Sequence, residues 1–442
     1  MVDPRVDPRD VLHTLGRHML TESFDFVLDA TASHGVWLVD ARDGSEHLDL
    51  FSFFASNTLG MNHPALVADD EFRERLADVA LHKPSNSDIY SVELARFTDT
   101  FERVLGDPAL PRYFFIEGGA MAVENGLKVA FDWKSQRNEQ AGRSPDLGTR
   151  VLHLQGAFHG RSGYTMSVTD TEPMKTARFP RFDWPRVPVP AVRFPLEDHL
   201  AELEHAEERA LQQAAAAFAR YAHDIACFIA EPIQGEGGDN HMRGVFLQRM
   251  QDLCHEHDAL FVLDEVQTGV GLTGSRWCYE QLGLEPDIVA YGKKVHVGGI
   301  MAGRRVEDVA SNALRTPSRL NSTFGGNLTD MVRATRILEL FDADRLAERA
   351  AASGKVLVEL LMQLAAEHPH MVGNVRGRGL MCAFDLPDRS TRDAVRQRLF
   401  DEERVMMLGC GERSLRFRPP LTIEGGELRV GVDAIDRVLT RS

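Results

Sequence analysis

Apolar and polar residues along the chain fall into two alternating rhythms. Short apolar runs rich in β-branched or aromatic residues occur at Tyr113 to Ile116, Val151 to Leu154, within DIACFIAE ending at Glu231, at Leu260 to Leu263 and at Ile288 to Ala290. Each is closed by glycine, proline or charge, which predicts strands. Between them lie stretches with helical spacing: from Met121 through Ala130, His199 to Tyr221, Phe246 to His255 and Arg276 to Leu282. Strands alternating with helices imply an α/β fold around a parallel sheet. The clearest case is Ala259 to Gly299, which reads as strand, glycine-rich loop, helix, strand, a βαβ unit.

The two ends of the chain are patterned differently. The polar, proline-broken start MVDPRVDPRD predicts a loose arm rather than a signal peptide, followed by a short helix from Val11 to Met19. A hairpin is expected from Gly35 to Val39 and Glu46 to Leu50 around Arg42 to Ser45, and the aromatic run FFASNTLGMNHP is read as core. From Leu328 onward, helices (Val332 to Phe341, Leu346 to Ala365) mix with strands (Leu380 to Phe384, Val405 to Leu408, Leu415 to Arg418). That predicts a smaller α+β domain joined by the N-terminal arm. The expected division is 1–62 for the arm and part of the small domain, 63–327 for the large domain and 328–442 for the small one.

Charge narrows the partners. A net charge of -16 argues against nucleic acid or an anionic membrane surface, because affinity for phosphate backbones comes from lysine and arginine. The five cysteines are scattered, odd in number and form no CxxC pair, which predicts reduced thiols in a cytoplasmic protein with no zinc site. No apolar run approaches the length of a membrane span.

Ligands of an open parallel sheet bind beyond the carboxyl ends of its strands. That rule gathers Glu231, Asp264 and the pair Lys293 and Lys294 at one crevice. Gly118 and Gly119 open a helix after a strand, leaving backbone N–H groups suited to a phosphate. The loop after Val151 to Leu154 adds a flat ring at Phe158, an imidazole at His159 and an anion-binding fork at Arg161. Gly269, Gly271 and Gly274 spell GxGxxG, the dinucleotide pattern of a nicotinamide oxidoreductase, but Asp264 to Thr268 separate it from its strand. HExxH, GxSxG and GxxxxGK[ST] are absent, and no metal-ligand spacing is evident.

These residues resemble a family. Asp264 to Gly269, and Pro286 to Lys293, are similar to the signature of class III (ornithine-type) pyridoxal-phosphate aminotransferases. Gly118 to Lys128 resembles their phosphate-binding turn, Phe158 to Ser162 their FHGRS loop, Glu231 to Gly238 their EPIQGEGG segment and Asn321 to Asn327 their NSTFGGN segment. The match is fuller to members acting on L-lysine, through His82 to Asp88 and Arg416 to Thr422.

The resemblance implies the fold type I architecture of these enzymes, a large domain with a mostly parallel seven-stranded sheet and a smaller α+β domain, in a homodimer with shared sites. It implies pyridoxal 5'-phosphate as cofactor, with Lys293 joined to it as a Schiff base, Asp264 on the ring nitrogen, Gln267 on the ring hydroxyl and Phe158 stacked on the ring. Gly119 and Ala120 would offer main-chain N–H groups to the phosphate, with Ser322 and Thr323 of the partner subunit. Arg161 would hold the distal carboxylate of L-lysine, Arg416 would bind the carboxylate of 2-oxoglutarate, and Glu236 would pair with Arg416 until that substrate displaces it. Ornithine, 4-aminobutyrate or another ω-amine stands as the alternative donor. The chain departs from many relatives at Glu117 to Ala120, which lack hydroxyls, and after Lys293, where Lys294 is a rival for the Schiff base.

Overall fold

A computed structural model describes residues 6–441; the first five residues of the N-terminal arm, and Ser442, lie outside it. Among the described residues, seven strands form one sheet in the order Arg112–Ile116, Gly298–Ala302, Ile288–Tyr291, Leu260–Asp264, Ile225–Ala230, Arg150–Leu154 and Arg186–Val187. Only Gly298–Ala302 runs antiparallel to its neighbours. The mostly parallel sheet and the βαβ unit stand as read from the apolar rhythm, the helix between its strands being Cys278–Leu282.

The strands lack polar alternation because both sheet faces are covered. Successive side chains point to opposite sides. Leu260 and Val262 pack with Ile229, Ile288 and Ile300 against Ala122, Leu127 and Trp133 of the helix Gly119–Gln140. Phe261 and Leu263 enter the opposite core with Phe228, Val289 and Met301, against Phe246 and Met250 of Gly244–Glu256.

Besides the two-stranded hairpin of Ile233–Gln234 and Asn240–His241, two smaller sheets adjoin this body. The hairpin Trp37–Val39 and Glu46–Asp49 pairs in parallel with Val405–Met406, so the N-terminal arm and the C-terminal region share a sheet. Gly373–Arg378, Met381–Asp385, Ser414–Phe417 and Leu408–Cys410 form the other. The single strand expected from Val405 to Leu408 is therefore divided between two sheets. The first helix, Val11–Gly16, stops short of Met19 at a glycine, a poor helix former.

The aromatic run departs further from its reading. Phe51 is buried, whereas Phe53 and Phe54 are 36% and 50% exposed. Ser52 to Ala55 all have positive φ, between 40° and 67°, and this left-handed turn faces both rings outward. Asp49 Oδ1 accepts from the N–H groups of Phe51 at 3.0 Å and Ser52 at 2.6 Å and holds the turn's start.

Candidate active site

Asp264 ends the strand Leu260–Asp264 and lies opposite Ala290, so the loop after Tyr291 emerges beside it. On that loop Lys293 adopts φ 46°, a left-handed conformation costing a non-glycine residue about 1–3 kcal/mol. Burial pushes its amine down to about 8 against the pull of Glu236, with Arg416 adding to the downward shift and Asp264 opposing it. Lys294 points elsewhere. It is 2% exposed and its Nζ donates to Ala55 O at 2.7 Å, in the left-handed turn. Of the two lysines, Lys293 alone is left to face Asp264 and Glu236.

Asp264 is 5% exposed and fully engaged: Oδ2 lies 2.7 Å from His159 Nδ1, and Oδ1 accepts from Val266 N at 3.0 Å. The loop bearing His159 is fastened from two sides. Glu231 accepts from Phe158 N at 3.0 Å through one oxygen and from Gly235 N at 2.9 Å through the other. Burial pushes its carboxyl up to about 7, with His159 opposing. Glu124, on the helix Gly119–Gln140, accepts from Ser162 Oγ at 2.7 Å and Thr165 N at 3.1 Å. Phe158 is left half-buried at the crevice.

The same helix begins at Gly118, with φ 85° and no side-chain cap. A Cβ at Gly118 would meet nothing within 4 Å, so there is open space beside the uncapped helix start. A Cβ at Gly119 would lie 2.6 Å from Val266 Cγ1, and one at Gly292 would lie 3.2 Å from Gly119 Cα. Main chain therefore meets main chain one residue from Lys293. Unfilled N–H groups and the helix dipole make this end of the crevice a site for an anion.

Across the crevice stand two buried arginines. Arg418, 1% exposed, bonds both oxygens of Asp239, Gln267 Oε1 at 2.9 Å and Phe417 O at 2.8 Å. Arg416, 2% exposed, donates from Nη2 to Glu236 Oε1 at 2.5 Å, while its Nε and Nη1 have no partner. Burial opposes the charge of Glu236, but Arg416 and then Lys175 outweigh it and hold the carboxyl down at about 2.

The structure thus gathers Gly119, Ala120, Phe158, Asp264, Gln267, Lys293, Glu236 and Arg416. Arg161 follows Gly160, whose Cβ position abuts Ala120, and is exposed with no ion-pair partner among the described residues. Ser322 and Thr323 are not brought to this crevice: Ser322 accepts from Ser87 Oγ through its carbonyl, and Thr323 is exposed. The contact of His159 with Asp264 and the place of Lys175 beside Glu236 were not foreseen. His159 carried a signal, its position next to Phe158; Lys175 carried none.

The GxGxxG glycines have another use. Cβ atoms at Gly271 and Gly274 would strike Phe341 and Leu421, and Ala351, so these glycines allow close packing against the C-terminal region. The nicotinamide reading loses its motif. Among the described residues no cluster of three or more His, Cys, Asp or Glu could hold a metal ion, and no helix is long and apolar enough to cross a membrane. An amine tuned by burial, a carboxylate held in place, an aromatic face and an open helix N-terminus fit pyridoxal 5'-phosphate.

Comparison with known proteins agrees. A family model described as aminotransferase class-III matches residues 20–439. The chain is 56% identical over 429 residues to an L-lysine-epsilon aminotransferase of Amycolatopsis lactamdurans, covering 97% of this chain and 95% of that one. It is 57% identical over 432 residues to an L-lysine-epsilon aminotransferase of Mycobacterium tuberculosis, covering 98% and 96%. A solved lysine aminotransferase of M. tuberculosis, in the internal aldimine form, superposes with a TM-score of 0.97 at 56% identity, covering 99% of this chain and all of that one.

Proposed function

The chain belongs to the class-III aminotransferases, enzymes dependent on pyridoxal 5'-phosphate, and on that premise we propose that it transfers the terminal amino group of L-lysine to 2-oxoglutarate. The products are 2-aminoadipate 6-semialdehyde and L-glutamate. The observation that carries this reading is Glu236 seated on the half-open Arg416, within the electrostatic reach of Lys293.

Lys293 would hold the cofactor's aldehyde carbon, Asp264 its ring nitrogen, Gln267 its ring hydroxyl and Phe158 its face. Gly119 and Ala120 would hold the phosphate through main-chain N–H groups, with the partner subunit's Ser322 and the partner subunit's Thr323 supplying hydroxyls. The bound cofactor supplies one thing, an electron sink that lets the substrate carbon lose a proton. His159 keeps Asp264 in place at 2.7 Å, where its carboxylate would favour a proton on the cofactor's ring nitrogen. Lys293 Nζ, with its affinity for protons lowered to about 8, accepts the proton from the reacting carbon.

The two substrates make opposite demands. Lysine brings a neutral methylene chain to the reacting carbon, and there Glu236 neutralises Arg416; Arg161 takes the distal carboxylate. 2-Oxoglutarate brings a carboxylate, which displaces Glu236 and uses the free Nε and Nη1 edge of Arg416. An unpaired buried guanidinium costs about 3–5 kcal/mol, which explains the need for a movable partner.

We read the functional unit as a homodimer. Exposed apolar side chains at Phe53, Phe54, Leu81, Ile89, Tyr90 and Val92 support this. The large and small domains are taken as 63–327 and 328–442 with the arm 1–62, and five buried free thiols support a cytoplasmic setting. The test is the visible spectrum of the cofactor-loaded protein. Bleaching by L-lysine and recovery with 2-oxoglutarate are expected. Bleaching by ornithine or 4-aminobutyrate but not lysine would change the donor, and no bleaching with any amine would overturn the reading.

A further inference from the structure

One charged side chain beside the crevice has no role in the account above. Lys175 ends the short turn Pro173–Lys175, and its Nζ lies 3.3 Å from Glu236 Oε2, 2.6 Å from Glu172 Oε2 and 5.0 Å from the centre of the Phe158 ring. Glu236 is therefore gripped at both oxygens, by Arg416 at one and Lys175 at the other. Charges alternate along Arg416, Glu236, Lys175 and Glu172. The array has a buried end and a part-exposed end: side-chain exposure is 2% at Arg416, 18% at Glu236, 14% at Lys175 and 35% at Glu172.

A carboxylate can occupy Arg416 only if Glu236 leaves it. A carboxylate leaving a buried guanidinium must find another cation or be left unpaired in a poorly solvated place. Lys175 already stands at its second oxygen, so a rotation of Glu236 exchanges one cation for another. We propose that Lys175 is a positioning residue that holds Glu236 in its displaced state, and thereby sets how readily the site accepts dicarboxylate substrates relative to lysine. The inference rests on the roles given to Glu236 and Arg416 above. Glu172 competes for the same amine and limits the hold.

The test uses the cofactor-loaded full chain, with the two half-reactions followed separately and the binding of glutarate, a dicarboxylate without the keto group, measured by calorimetry. Lys175→Met is expected to weaken glutarate binding and 2-oxoglutarate use about tenfold, with a loss at least about five times smaller in the lysine half-reaction. Lys175→Arg is expected to recover most of the loss, and Glu172→Gln to shift glutarate binding in the opposite direction. The deciding arm is a double-mutant cycle: once Glu236→Ala is present, Lys175→Met should change glutarate binding by less than about twofold. A Lys175→Met effect that persists without Glu236, or falls equally on both half-reactions, overturns the proposal. If Glu236→Ala alone leaves the ratio of the two half-reactions as it was, the failure lies in the reading of Glu236 itself.

Discussion

Arg416 and Arg418 lie two residues apart, both almost fully buried, yet they are built for different purposes. Arg418 is closed: Asp239, Gln267 and the main chain take up its donors. Arg416 is open, with one carboxylate on Nη2 and two nitrogens unpartnered. The lysines repeat the contrast. Lys294 is tied to Ala55 O, while Lys293 is left free in a strained backbone conformation. In each pair the satisfied cation braces the fold and the unsatisfied one faces the crevice. A buried charge with spare donors is thus the mark of the site, more than burial or charge alone.

The contrast can be broken first at Arg418. Arg418→Met strands Asp239 and should lower stability by about 3–5 kcal/mol, read by urea unfolding. Arg416→Met should behave otherwise, because Glu236 retains Lys175 and some solvent. Its main effect should be a loss of about 2–3 kcal/mol in apparent 2-oxoglutarate affinity, read in the second half-reaction. Equal stability losses in the two variants would remove the distinction.

Two smaller effects sharpen it. Glu236→Ala should move the ratio of the half-reactions about tenfold, against lysine and toward 2-oxoglutarate, since Arg416 would then stand unpaired beside a methylene chain. Lys293 offers a pH test. Its folded value is lowered from 10.5 to about 8, so the unfolded chain binds more protons between those values, and the stability of the cofactor-free protein should rise with pH across that window. Below it the neutral amine becomes scarce. The rate of pyridoxal phosphate uptake by cofactor-free protein should fall about fivefold from pH 8 to pH 7, as followed by absorbance. A flat profile would mean that Lys293 is not the amine that reacts.

Much of this was legible in the chain. Apolar runs ending in Asp264, and shortly before Lys293, located the crevice because parallel strands deliver their carboxyl ends to one edge. Gly118 and Gly119 marked the open helix. What escaped was set by contacts distant in sequence. The strand Gly298–Ala302 turns back antiparallel to Ile288–Tyr291 and also pairs with Arg112–Ile116, far away in sequence, a partner that no local pattern encodes. Phe53 and Phe54 carry a core composition, but the backbone handedness of their turn, fixed by Asp49 and Lys294, faces them outward. Lys175 stands in a polar loop indistinguishable from ordinary surface until folding sets it against Glu236.

The contact between Gly119 and Gly292 bears on how such an enzyme can change. Close packing spaces the open helix start from the loop of Lys293: a Cβ at Gly119 would strike the Val266 side chain, and one at Gly292 would press on the main chain of Gly119. The residues proposed to sort substrates, Arg161, Lys175 and Glu236, sit instead on loops and a short turn outside that contact. Donor preference can therefore drift, or be redesigned, through those loops while the chemical centre keeps its dimensions.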